Sequence, residues 1–141
     1  MKTTSNKGID LITESEDIRL KAYKCPAGIW TIGFGHTPSF EGEVIDLEKA
    51  YQLLKNDLHK AEAAVNKVRQ PLNQNQFDAL VSFVFNIGAY AFSLSTLKRI
   101  ADIDANDPRI ADEFKRWNKS KGVVLNGLTS RRASESELYF S

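Results

Sequence analysis

The chain has 141 residues, with 19 Lys and Arg against 18 Asp and Glu, 42% apolar residues and a single cysteine. That length suits one domain with a core large enough to fold alone. The near-neutral charge is interspersed, with an acidic middle and a mildly basic last third. This reads as solvated faces rather than a dense polyanion-binding stripe. With only Cys25, an internal disulfide and a cysteine metal cluster are both excluded. The opening MKTTSNKGIDLITE has no apolar h-region and no small-residue cleavage pattern, so no secretory signal is expected. The most apolar run, residues 79–92, is broken by Ser82 and Asn86 and is too short to span a bilayer.

Ile9, Ile12 and Glu16 recur at helical spacing, which predicts a first helix with Glu16 at its end, on the buried face and half in a core. Tyr23 and Cys25 lead into Pro26-Ala27-Gly28, a turn signal. Residues 29–36 alternate with period two, placing Trp30, Ile32, Phe34 and His36 on one face and Thr31, Gly33 and Gly35 on the other. That pattern predicts a half-buried strand with Thr31 on an open surface. The two glycines there suggest that a ligand or another backbone comes close. Glu43-Val44-Ile45 suggests a short third strand.

Asp46 is positioned to cap a long amphipathic helix carrying Leu47, Ala50, Tyr51, Leu54, Leu58, Ala61, Val65 and Val68, with Pro71 as its stop. A rod of ~30 Å would join two lobes. Asn73 with Gln76 forms a capping-box pattern and Gly88 a C-terminal cap, bracketing a helix whose stripe is Phe77, Leu80, Val81, Val84 and Ile87. Phe83 and Phe85 widen that stripe, so this helix should be surrounded on most sides. Ser93 or Ser95 can cap a helix with Leu97 and Ile100. Asp107-Pro108 opens another with Ile110, Ala111, Phe114 and Trp117. A loop over 119–127 precedes a last helix ending near Tyr139.

A carboxyl on a half-buried helix end, close in sequence to a small sheet with a thiol and a threonine, suits glycoside cleavage. One acid with a raised pKa protonates the leaving oxygen, and a second group holds a water or attacks the anomeric carbon. Glu16 suits the first role, and Cys25 and Thr31 lie where the second is needed. Taken alone the signal is weak. A Glu at a helix end is more often a solvated cap partner, and a lone Cys more often a small buried apolar residue.

The spacing Glu16, eight residues, Cys25, five residues, Thr31, followed by WTIGFGHT, resembles the phage-type lysozymes, the endolysins of glycoside hydrolase family 24. Their pattern is Glu, eight residues, Asp, five residues, Thr, then WTIGxGHT. NQNQFDALVSFVFNIGAYAFSLSTL resembles the family's central helical segment, and FKRWNKSKGVVLNGLTSRR its later one, so the likeness covers almost the whole chain. Cys25 stands where the usual residue is Asp, as in some members of the family.

The resemblance implies an α+β lysozyme-like fold: a sheet-bearing lobe over about 15–60, joined by the long helix to a helical lobe over about 70–141 plus the N-terminal helix, with a substrate cleft between. It implies Glu16 as general acid, Thr31 as a residue positioning the water, and Cys25 as base or nucleophile. Phe85 and Asn86 would contact sugar, and His36 would pair with Asp57. Arg131 and Arg132 near the chain end read as solvated, with a weaker alternative of contacting stem peptide or Glu16.

The expected activity is hydrolysis of the β-1,4 bond between N-acetylmuramic acid and N-acetylglucosamine in bacterial peptidoglycan during host lysis. No cofactor and no metal ion is expected, because His36 and His59 lack clustered acids. A monomer is expected, made in the host cytoplasm and reaching the wall through a membrane pore (holin) formed by another protein. No nucleic-acid partner is expected. The alternatives are a catalytically impaired peptidoglycan-binding protein, a lytic transglycosylase, and a nucleic-acid-binding helical domain suggested by the basic last third.

Overall fold

The computed structural model describes residues 1–141. In chain order it contains α1 (Asn6–Ser15), β1 (Arg19–Lys24), β2 (Trp30–Gly33), α2 (Leu47–Val65), α3 (Gln74–Ile87), α4 (Ala89–Leu94), α5 (Thr96–Ile103), α6 (Arg109–Lys115), β3 (Lys119–Ser120), β4 (Val123–Val124) and α7 (Asn126–Tyr139). Seven helices with two small antiparallel sheets make the α+β class expected. The chain forms two compact units, residues 12–59 and residues 1–11 with 60–141. It crosses from one to the other within α1 and again within α2.

In the first unit β1 and β2 pair antiparallel, with Tyr23 opposite Thr31, Lys24 opposite Trp30, and an irregularity between Arg19 and Tyr23. The third strand reduces to one bridge between Lys21 and Val44, held by Ala22 N–H donating to the Glu43 carbonyl and Ile45 N–H to the Leu20 carbonyl, both at 2.9 Å. Ile12, Ile32, Phe34, Ala50, Leu54 and Leu58 are buried, and Phe34 meets Tyr51 edge-on with centroids 5.1 Å apart.

The strand predicted over 29–36 is shorter. It ends at Gly33, and the chain turns so that Ile32 and His36 exchange backbone hydrogen bonds of 3.0 and 2.8 Å. Gly33 and Gly35 have φ of +68° and +78°. They supply the left-handed backbone this turn needs, where any other residue would be strained. A Cβ on Gly35 would meet nothing within 4 Å, so crowding by a neighbouring backbone is not why glycine stands there.

Asp46 caps α2 as expected, its Oδ1 accepting from Lys49 N–H at 2.8 Å. The helix stops at Val65, six residues before Pro71, so Pro71 does not terminate it. Instead Lys67 and Val68 N–H groups donate to the Ala64 and Val65 carbonyls in a tightened final turn.

In the second unit α3 is central and packs on α7, which also packs on α6. Its capping box is complete: Asn73 Oδ1 accepts from Gln76 N–H at 2.8 Å, and Gln76 Oε1 from Asn73 N–H at 2.9 Å. Residues 76–84 are buried without a break. Each large apolar side chain so enclosed contributes about 1.5–3 kcal/mol of burial. Phe83 meets Phe92, Phe114 and Trp117 edge-on at centroid distances of 6.3, 5.2 and 5.8 Å. The first residues are tied to this unit, with Thr4 N–H and Oγ1 both donating to Glu62 Oε2 at 2.7 Å and Ser5 Oγ to Asp78.

The segment 88–95 contains α4, which periodicity did not predict, and the loop 119–127 contains the β3–β4 hairpin. Ser95 rather than Ser93 caps α5, its Oγ accepting from Lys98 N–H at 3.1 Å.

Candidate active site

Glu16 is the first residue past α1. Its N–H donates to the Ile12 carbonyl at 3.1 Å, and Ile12, one turn back, is fully buried. The same helical face therefore draws Glu16 part-way out of water, and the residue is half-buried.

Cys25 lies just past β1, where its N–H donates to the Ile29 carbonyl at 3.0 Å and its carbonyl accepts from Gly28 N–H at 2.8 Å. Gly28, at φ +80°, lets the chain reverse within this turn. The thiol is partly exposed. The backbone N–H of Ile29 and then that of Ala27 hold its pKa below the usual thiol value, with a smaller contribution from the Thr31 hydroxyl and a small opposing effect of burial. Donors aimed at sulfur favour the thiolate, the form that acts as base or nucleophile.

Thr31 is 4% exposed, not on an open surface as the alternation predicted. The strand is covered on both faces, because Ile32 beside it is also fully buried. The Thr31 hydroxyl donates to the Ile29 carbonyl at 3.0 Å. It has one proton, so a Cys25 thiolate and the Ile29 carbonyl compete for it. The structure thus brings Cys25 and Thr31 together around one turn, in the unit that also carries Glu16. His36 Nδ1 lies 2.8 Å from Asp57 Oδ2, the pairing the resemblance implied.

Phe85 and Asn86 sit in the last turn of α3, in the other unit. Phe85 is half-buried and Asn86 is exposed. Asn86 Oδ1 accepts from Arg132 Nη2 at 2.9 Å. Here the structure departs most from the sequence reading, since Arg131 and Arg132 are 5% and 0% exposed rather than solvated.

Both arginines surround Glu135, which is also fully buried. Arg131 Nε donates to Glu135 Oε2 at 3.3 Å, Arg132 Nη2 donates to the same oxygen at 3.3 Å, and Ser82 Oγ donates to it at 2.5 Å. Arg132 Nε lies 2.8 Å from Glu135 Oε1, an ion-pair distance without hydrogen-bond alignment. The Arg132 guanidinium also covers the Phe83 ring at 5.0 Å. Burial pushes the Arg132 pKa down to about 10 and the Glu135 pKa up. Desolvation therefore outweighs mutual attraction in this cluster.

Sequence reading missed Glu135 and Ser82. The signal for Glu135 was its spacing of four and three residues from the two arginines on one helix. No group of three His, Cys, Asp or Glu side chains is placed to hold a metal ion.

Comparison with known proteins bears on the whole chain. The family profile described as phage lysozyme matches residues 13–135. The endolysin of Acyrthosiphon pisum secondary endosymbiont phage 1 is 43% identical, the match covering 97% of each chain. The endolysin of Salmonella phage P22 is 43% identical over 100% of both. Among solved structures, the muramidase domain of SpmX from Asticaccaulis excentricus is similar at a TM-score of 0.92 and 40% identity, covering 100% of this chain and 99% of that one. With profile, relatives and fold agreeing over nearly its full length, this chain belongs to the phage lysozyme family.

Proposed function

We propose that the protein is an endolysin, a muramidase hydrolysing the β-1,4 bond between N-acetylmuramic acid and N-acetylglucosamine of peptidoglycan during host lysis. It belongs, on this reading, to glycoside hydrolase family 24 as a variant in which Cys25 takes the place of the usual Asp. Glu16 is the general acid that protonates the leaving oxygen. The Cys25 thiolate takes a proton from water, giving inversion, or attacks the anomeric carbon, giving retention. Thr31 steadies the sulfur and the water beside it, and Phe85 and Asn86 contact the glycan.

The observation that carries this reading is the hydrogen-bonded turn around Cys25. Backbone donors there favour the thiolate, and that thiolate supplies what the missing carboxylate would have supplied.

Digestion of purified peptidoglycan, with the new sugar ends identified by mass, tests it. Wild type releases reducing muramic ends, Cys25→Ser does not, and Cys25→Asp does. Anhydro ends would make the protein a transglycosylase, and no new ends a binding protein. The pH profile carries the sign. Because the thiolate is the working form, kcat/KM rises with pH through the Cys25 pKa, which the backbone donors hold below its ordinary value. Cys25→Asp moves that rising limb down to about 4. A limb that does not move, or full activity after thiol alkylation, would remove Cys25 from the mechanism.

No helix is long and apolar enough to cross a membrane. The reading includes a monomer that reaches the wall through a pore made by a second protein. Expression of this chain alone then leaves cells intact, and co-expression with a pore former lyses them. Lysis by the chain alone would count against that route.

A further inference from the structure

We propose that Arg132 is a positioning residue that fixes the polarity of Asn86, making it an obligate hydrogen-bond donor to an amide carbonyl of the substrate. This rests on the muramidase reading and deepens it.

A guanidinium has five N–H donors and no acceptor. With Arg132 Nη2 2.9 Å away, the Asn86 amide must therefore turn its Oδ1 toward Arg132 and its Nδ2 away. On an exposed residue that choice would ordinarily be free. Here it is held, because Arg132 cannot move. It is fully buried, clamped by Glu135 through Nη2 at 3.3 Å and by the ion pair at Nε, and stacked on Phe83 at 5.0 Å. Glu135 is in turn held by Ser82 Oγ on α3, the helix that carries Asn86.

The buried charge cluster and the exposed amide thus form one connected unit spanning α3 and α7. Asn86 meets a ligand with its carbonyl already occupied and its amide protons available. The matching group is a carbonyl oxygen, present both in the N-acetyl substituent of the sugar and in the stem peptide. An acidic ligand group would pair with the same amide protons. An ammonium or other pure donor would find only the second lone pair of an oxygen turned toward Arg132.

The test uses solubilised peptidoglycan and reads KM and kcat separately, with melting temperature as control. Asn86→Asp keeps a partner for Arg132 but presents an acceptor outward. It is expected to hold its melting temperature and its kcat while KM rises about three- to tenfold, the loss of one neutral hydrogen bond. Arg132→Lys keeps the charge and loses the fork. It should raise KM by a similar factor, and adding it to Asn86→Ala should raise KM no further, since Arg132 acts only through Asn86.

Wild-type KM in Asn86→Asp overturns the proposal. So do KM effects of Asn86→Ala and Arg132→Lys that multiply, or an Arg132→Lys effect confined to melting temperature. Glycan strands stripped of stem peptides separate the two carbonyl sources. A KM rise that persists on them assigns the acetyl group, and one that disappears assigns the peptide. Absence of reducing ends from the wild type would instead overturn the muramidase reading, so the two failures are distinguishable.

Discussion

Glu16→Gln lowers the rate of glycan cleavage by about 10²- to 10⁴-fold, the range of a single general acid. The Glu16 N–H donates to the Ile12 carbonyl, a backbone bond that the substitution leaves in place. A glutamine has the same shape and can still hydrogen-bond the glycosidic oxygen, but it has no acidic proton to give up as the bond breaks. The loss therefore falls on kcat rather than on KM. Single-turnover digestion, read by the appearance of reducing ends, measures it. A glutamine enzyme retaining more than a tenth of wild-type kcat would show that the leaving oxygen finds its proton elsewhere.

Glu135→Gln destabilises the fold by about 3–5 kcal/mol, the cost of breaking a buried ion pair from one side. Glutamine fills the same volume, so the loss is not a cavity. It comes from removing the carboxylate that faces both Arg131 and Arg132 in a dry interior. Desolvation of these buried charges offsets much of their attraction, so an intact cluster of this kind adds little relative to an apolar packing of the same volume. The asymmetry is what matters: having the cluster adds little, and losing one member costs much. Denaturant unfolding reads the difference as a fall in midpoint at unchanged slope. A loss under 1 kcal/mol would mean that water reaches the arginines.

The elements legible in the sequence were those whose apolar residues keep a clean period or whose ends carry a chemical signal. The capping box of α3, the Asp46 cap of α2, the apolar stripes of both helices and the Pro26-Gly28 turn all belong to this class. What escaped did so for identifiable reasons. The 29–36 strand alternated only in composition, because Gly33 and Gly35 are there for a positive φ and not for one face of a pleat. Thr31 is buried because Ile32 next to it is buried too, and an alternating pattern cannot express a strand covered on both sides.

The end of α2 came early because the chain tightened its own last turn before the proline. α7 hid its buried face because that face is Arg131, Arg132, Glu135 and Ser136, with Tyr139 as the one apolar member. Hydropathy reads such a stripe as exterior. Of the candidate site, Glu16, Cys25 and Thr31 came from spacing and resemblance. The donors that depress the Cys25 pKa are backbone groups, which leave no mark in a list of side chains.

The two compact units differ in how they are written along the chain. The one carrying Glu16, Cys25 and Thr31 is a single uninterrupted stretch, whereas the other joins the first eleven residues to everything after residue 59. During synthesis the uninterrupted stretch emerges whole from the ribosome and can collapse on its own short-range contacts. Its counterpart must hold its opening residues unpaired until Glu62 and Asp78 arrive to receive Thr4 and Ser5, and it gains α7 only after α3 to α6 have emerged. The candidate catalytic side chains are therefore assembled early, on a nascent chain in which α3 lacks its buried counter-face until α7 has emerged. Order of emergence makes α7 the helix that completes this unit.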